Sequence, residues 1–342
     1  MPVDLDAALV DFLDIQTLSR RQPAPGDSMH TAPSRPKLGL ALGSGAARGL
    51  AHIGVLKVLE QAEIPVDIIA GTSMGAFIGA MYAAGVPVDH MEKAALEIDW
   101  RSMARLLDPM LPISGLTDSK KLISFMADLL PAHNFSDLNR PLAVTATDIN
   151  TGEAVIIKQG DLLEALRASL AFPGIFSPVR FGQRFLVDGG LCKPIPVDVA
   201  RHLGAEKVIG VCTIPAVNKQ TPETFLPAVH VLKKPGRRWR NLFSARTIEQ
   251  AFRSAIGQEF KEFARSDLKT PNIFRVCAQS VVIMENVIND LHLCQNPHDL
   301  LIRPRLDGIS LLEFHRAKEV ITAGEASARA ALPEIEYLLQ NA

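Results

Sequence analysis

Ile68-Ile69-Ala70-Gly71-Thr72-Ser73-Met74-Gly75 is an apolar run that ends in a G-x-S-x-G turn and opens into Ala76-Phe77-Ile78-Gly79-Ala80. Residues 66–70 read as a buried strand. Residues 74–84 read as a buried helix, which Gly85 ends. A serine between a strand and a helix, with glycine two residues to either side, has the context of a nucleophile elbow. The turn is tight, so bulk beside the serine would clash. The head of the following helix offers free N–H groups and a partial positive charge, both of which favour a developing anion. A second reading is a packing seam, because Gly71, Gly75 and Gly79 recur every four residues. Residues 68–88 carry no charge, yet Gly71, Gly85 and Pro87 interrupt them and Asp67 and Asp89 flank them. A membrane span is therefore not expected there.

One βα unit upstream, residues 38–42 predict another short buried strand. It runs into Gly43-Ser44-Gly45-Ala46-Ala47-Arg48-Gly49, and a helix is expected over 46–62. Glycines in such a loop let backbone amides approach an oxyanion closely. A dinucleotide loop is the competing reading. It is weakened because G-x-G-x-x-G fails at Arg48, and the next strand ends at Ala70-Gly71 without an acid for a ribose.

Downstream, strands are expected at 142–147, 154–158, 184–187, 207–213 and 300–303. Helices are expected at 161–170, capped by Asp161, at 197–203, and at 310–330 with Ser310 as N-cap. Strands alternating with helices indicate an α/β sandwich with a sheet covered on both faces. Asp188-Gly189-Gly190 follows the strand at 184–187. The acid is placed to reach a cleft, although Asp-Gly is also a favoured hairpin turn. Together the three motifs suggest serine acyl transfer. Five histidines follow Asp188, at 202, 230, 292, 298 and 315, and none lies in a motif-like setting. Little folded chain precedes the glycine loop, whereas the usual α/β-hydrolase elbow follows several strands.

The 342 residues hold 36 basic and 37 acidic side chains, a net charge of −1, which argues against a general nucleic-acid surface. Cys192, Cys212, Cys277 and Cys294 form no C-x-x-C pair and are too few for a disulfide scaffold. The start carries Asp4, Asp6, Asp11 and Asp14 and no basic residue before Arg20, so no secretory leader is expected. Residues 4–19 fit an amphipathic helix, and the proline-rich stretch 20–36 a linker. The segment 217–250 is basic. No acid lies between Glu223 and Glu249, while Lys233, Lys234, Arg237, Arg238 and Arg240 surround Trp239. It reads as a solvated loop, as a lid, or as a patch for anionic lipid headgroups with Trp239 entering the interface.

These blocks resemble, in order and spacing, the patatin-like phospholipase family. The stretch 167–179, Arg-Ala-Ser-Leu-Ala-Phe-Pro-Gly-Ile-Phe-Ser-Pro-Val, is similar to the block that family carries between its serine and aspartate. Residues 299–304 and the helix expected after Ser310 resemble bacterial members related to neuropathy target esterase. The resemblance spans residues 37–330, the expected hydrolase domain, and leaves 1–36 as an extension and 331–342 as a tail. It implies a three-layer α/β/α sandwich, patatin-like, with a mostly parallel central sheet covered by helices on both faces. It implies Ser73 as nucleophile and Asp188 as general base, without a histidine. The loop of Gly43, Gly45, Ala46 and Arg48 would hold the oxyanion, with Arg48 bracing it or meeting lipid phosphate. Gly71 and Gly75 would shape the elbow. The expected substrate is a phospholipid or lysophospholipid met at a membrane surface, with no metal and no cofactor. The expected setting is cytoplasmic and peripheral at the inner face of the membrane, with oligomeric state left open. A soluble esterase or thioesterase with the same dyad and a low-turnover lipid-binding protein are the alternatives.

Overall fold

In the computed structural model, which describes residues 35–97, 120–214 and 273–340, β1 (Leu38–Leu42) is buried along its whole length. It pairs in parallel with β2 (Ile68–Thr72) on one side and β7 (Lys207–Val211) on the other. Strands buried on both faces read as near-continuous apolar runs, as these do. The eight-stranded sheet has the order β5-β6-β3-β2-β1-β7-β8, with β4 (Ala154–Ile157) also pairing to β3 (Leu142–Asp148). β8 (Leu300–Ile302) joins β7 in parallel. β4, β5 (Val179–Phe181) and β6 (Arg184–Asp188) form an antiparallel margin.

Alternate residues of β1 face different layers. Leu38, Leu40 and Leu42 pack into the larger core, with α1 (Ala51–Gln61), α2 (Met74–Ala83), α5 (Leu162–Ser169) and α8 (Ala317–Gln340). Ala41 faces the smaller core, with Val197, Val199 and Ala200 of α6 (Val197–His202) and Leu293 of α7 (Ile273–Gln295). This is the expected three-layer sandwich. The larger layer also holds α3 (Val88–Glu97) and α4 (Lys120–Leu129), whose Met91 and Met126 enter its core. Neither helix was expected from the sequence, and nor were α7 and β5.

Three boundaries differ from expectation. The helix expected from 46 begins as a 3-10 turn, Ala46–Leu50, and becomes α-helical at Ala51. At its entry Ala46 takes the left-handed φ of 48°, which does not continue into a regular α-helical turn. The helix expected from Ser310 starts at Ala317, after a 3-10 turn at Phe314–Arg316. Residues before it are drawn elsewhere: the Leu311 carbonyl accepts from Ala47 N–H at 3.0 Å, and the Ser310 amide donates to Glu313 Oε2 at 2.9 Å. The same helix runs through Pro333 to Gln340, so residues 331–340 are its last turns rather than a separate tail. Asp161 does cap α5, its carboxylate accepting from Glu164 N–H at 2.9 Å.

α1 and α8 meet backbone to backbone. A Cβ on Gly54 would lie 2.1 Å from the Ile321 carbonyl oxygen, and one on Gly324 would lie 2.1 Å from that of Ala51. Neither backbone can yield, so a side chain must push the helices apart. Gly54→Val is expected to cost about 3 kcal/mol or more, by overpacking. Chemical denaturation checks this, and an unchanged midpoint would contradict the crossing as described. No helix among the described residues is long and apolar enough to cross a membrane. Residues 68–88 hold β2, α2 and the start of α3. The N-terminal extension and the basic segment, with Lys233, Lys234, Arg237, Arg238, Trp239 and Arg240, lie outside the described residues.

Candidate active site

The sheet places the three motifs together. β1 and β2 are parallel neighbours, so the glycine loop after one and the elbow after the other emerge side by side at their carboxyl ends, where open α/β sheets bind ligands. Register brings the third. Thr72 of β2 pairs with Thr145 of β3, and the adjacent Ala146 pairs with Asp188 at the end of β6.

Ser73 occupies the N-cap of α2 with φ 55° and ψ −122°, outside the ordinary helical and extended regions. Its amide donates to Ser169 Oγ at 2.8 Å, which ties the elbow to the end of α5. The turn closes onto the glycine loop: a Cβ on Gly75 would lie 2.3 Å from the Leu42 carbonyl oxygen and 2.5 Å from that of Gly43. Only glycine fits there, so the spacing seen in the sequence reports this contact as well as the turn.

Ser73 Oγ donates to Asp188 Oδ2 at 2.7 Å. The other carboxylate oxygen accepts from Gly190 N–H at 2.8 Å. Thr147 Oγ1 donates to the Asp188 carbonyl at 2.9 Å and fixes the backbone. Ser73 and Asp188 are both buried. Burial pushes the Asp188 carboxyl up to about 6, against the hydrogen bonds from Ser73 and Gly190 that favour its ionised form. An aspartate in this state is ionised at neutral pH and a stronger base than a solvated one. A hydroxyl held this way can give up its proton as it attacks a carbonyl.

The loop amides divide clearly. Gly43 N–H donates to the Val211 carbonyl at 3.1 Å, Ser44 N–H to Pro194 at 2.9 Å, and Arg48 N–H to Gly45 at 3.0 Å. The amides of Gly45 and Ala46 have no such partner among the described residues. Of the loop expected to hold an oxyanion, Gly43, Gly45, Ala46 and Arg48, two amides are thus engaged, and those of Gly45 and Ala46, the ones expected to meet it, are not. Arg48 does not reach a surface where lipid phosphate could meet it. It is 1% exposed, and its Nε and one Nη have no hydrogen-bond partner among the described residues. Burial lowers it to about 10, with Glu285 and Cys212 opposing, so it stays cationic.

Two further groups belong to the site and were not read from the sequence. His52 Nε2 lies 2.8 Å from the Gly43 carbonyl oxygen. Burial lowers this imidazole to about 4, so it is neutral and Nε2 carries the proton it donates. It braces the loop from α1. Its place four residues after Arg48 was the available signal. Glu285 of α7 is buried and lines the same cavity as Ser44, Ser73 and Asp188. The rest of that cavity is apolar, with Phe77, Met81, Phe125, Phe172, Phe176 and Phe314 on its wall. A polar end carrying a serine and an apolar wall suit an ester of a long acyl chain.

Comparison with known proteins agrees with this architecture. Residues 40–201 match the family model described as patatin-like phospholipase. An uncharacterized NTE family protein of Mycobacterium tuberculosis is 31% identical over 354 residues, covering 92% of this chain and 96% of that one. Human patatin-like phospholipase domain-containing protein 6 is 35% identical over 181 residues, 51% of this chain and 13% of that protein. Lysophospholipase nte1 of Aspergillus fumigatus is 29% identical over 303 residues, 87% of this chain and 18% of that protein. The fold and these matches define a patatin-like phospholipase domain. Within that class, the chain belongs to the NTE family.

Proposed function

We propose that the chain is a serine lipid acyl hydrolase of the phospholipase A or lysophospholipase type, using Ser73 and Asp188 as a dyad. The 2.7 Å hydrogen bond from Ser73 Oγ to the buried Asp188 carboxylate, at the polar end of an apolar cavity, carries this reading. Ser73 Oγ attacks the ester carbonyl carbon and its proton passes to Asp188. The oxyanion meets the Gly45 and Ala46 amides and the head of α2. The intermediate collapses, the bond to the alcohol oxygen breaks, and Asp188 returns the proton to that oxygen. An acyl group is left on Ser73. Water then attacks it, giving its proton to Asp188, and the fatty acid leaves as Ser73 recovers its hydrogen. Water and one ester give one acid and one alcohol, with the enzyme restored.

The names of the human and Aspergillus relatives, a phospholipase-domain protein and a lysophospholipase, support a lipid ester as substrate. The test is fatty-acid release from mixed phospholipid vesicles and from lysophospholipids, read by mass spectrometry. Release of free fatty acid with the matching lyso-lipid or glycerol phosphodiester supports the reading. Turnover confined to soluble short-chain esters or thioesters would replace it with the esterase alternative.

The membrane contact is part of the same reading and rests on the sequence. Lys233, Lys234, Arg237, Arg238 and Arg240 would meet anionic headgroups while Trp239 enters the interface. Reversing charge at Arg237 and Arg238 is expected to weaken vesicle binding about tenfold or more, since each basic residue near the surface contributes on the order of 1 kcal/mol. Raising salt should mimic it. Flotation with anionic vesicles checks this, and unchanged binding would remove the segment from the mechanism.

A further inference from the structure

We propose that Glu285 is a third polar group of the reaction centre, whose carboxyl donates a hydrogen bond to the leaving oxygen of the ester. The inference rests on the serine-hydrolase reading and adds a residue to it.

The placement comes from α7. Over residues 279–295 of this helix Val282, Glu285, Asn289 and Leu293 are buried, while Met284, Val287 and Leu291 are exposed. The buried face lies over the turn after Asp188. A Cβ built on Gly190 would lie 2.3 Å from Glu285 Oε1, 3.1 Å from Ser44 Oγ and 3.2 Å from Asp188 Oδ1. Three oxygens therefore converge on one glycine, and all three residues line the cavity that holds Ser73. The apolar wall receives the acyl chain. The alcohol side of the ester must then lie toward the polar end, where Glu285 stands.

Its surroundings keep its proton on. Glu285 is 4% exposed and forms no ion pair or hydrogen bond among the described residues. From the end of β6 the Asp188 carboxylate faces it, and from the turn after β1 the Arg48 guanidinium. Beyond β7, the buried thiol of Cys212 lies near Arg48 and is pushed up, hence neutral. About two turns further along α7, His292 joins Lys193 and Asp198 in a separate cluster. Burial and the Asp188 charge push Glu285 up to about 8, with Arg48 opposing. At neutral pH it is a donor, not a second carboxylate.

An alkoxide is a poor leaving group, and a hydrogen bond formed as its charge develops assists departure. Asp188 supplies the transferred proton. Glu285 keeps its own, so the proton balance above is unchanged. Burying a carboxyl opposes folding, which is a recurrent mark of groups retained for activity.

The experiment compares two esters of one fatty acid, a lysophospholipid and a p-nitrophenyl ester, whose aryloxide leaves with little help. In Glu285→Leu, kcat/KM on the lysophospholipid is expected to fall by about 10²-fold, while the p-nitrophenyl ester changes less than about threefold. Glu285→Gln keeps an N–H donor. It is expected to recover most of the lost rate and to lose the decline in kcat/KM above about pH 8. Both variants should melt no lower than wild type, because a buried carboxyl has been removed. Equal losses on both esters, or a decline above pH 8 that persists in Glu285→Gln, would overturn the proposal. Turnover that survives Ser73→Ala is a different pattern, and would overturn the hydrolase reading and this inference with it.

Discussion

Ser73→Ala is expected to abolish fatty-acid release, by at least about 10⁴-fold, while the protein stays folded. Among the described residues lining the cavity, Ser44 carries the other hydroxyl. Its Oγ makes no hydrogen bond to Asp188 or to any other described residue, so it is not activated as Ser73 is. Loss of a nucleophile removes the acyl-enzyme route, and residual turnover would come from the loop amides and binding alone. The fold should tolerate the change. Alanine occupies the same backbone conformation as serine, and the Ser73 amide keeps its bond to Ser169. The Asp188 carboxylate loses one of its two donors, at a cost of about 1–3 kcal/mol. Mass spectrometry of the released lipid beside a thermal melt checks both halves. Wild-type rates in a folded variant would remove Ser73 from the mechanism.

Asp188→Asn carries the second large effect. It keeps the shape and removes the base, so kcat/KM should fall by about 10²–10⁴-fold. The pH profile identifies the cause. With its carboxyl at about 6, Asp188 is protonated below that pH and basic above it. Wild-type kcat/KM should therefore climb through pH 6, and the residual rate of the variant should not. The stability consequence has the opposite sense. A folded-state value raised above the unfolded 3.8 gives a contribution fully present below 3.8 and lost as pH rises through 6. Between those values the folded chain binds more protons than the unfolded one. Wild type should lose up to about 1.4 kcal/mol per pH unit there from this group, and the variant should be free of that slope. Denaturant titrations across pH 4–7 measure it. A slope equal in both proteins would show that Asp188 is not the buried titrating group described.

Ser73, Asp188 and the glycine loop were legible because each is bound to a local constraint. Gly75 must be glycine where β1 ends against the elbow, and such contacts leave fixed spacings in a sequence. The resemblance to a known family then joined blocks that lie far apart. Other parts were set by tertiary placement and left no local mark. Glu285 and Asn289 share the buried face of α7 with Val282 and Leu293, so the face does not read as apolar and no helix was expected there. Which loop amides are free depends on Val211, Pro194 and Leu311, whose carbonyls arrive from distant chain. The late helix start follows from the same Leu311 contact. Sheet order was equally hidden, since nothing local in β7 shows that it lies beside β1.

In the proposed mechanism Ser73, activated by Asp188, is the nucleophile. The most direct test is reaction with an alkyl fluorophosphonate, followed by intact mass and peptide mapping. One adduct per chain is expected on the peptide holding Ser73, absent in Ser73→Ala and formed far more slowly in Asp188→Asn. An adduct on another residue, or none on wild type that is hydrolysing lipid, would contradict the account.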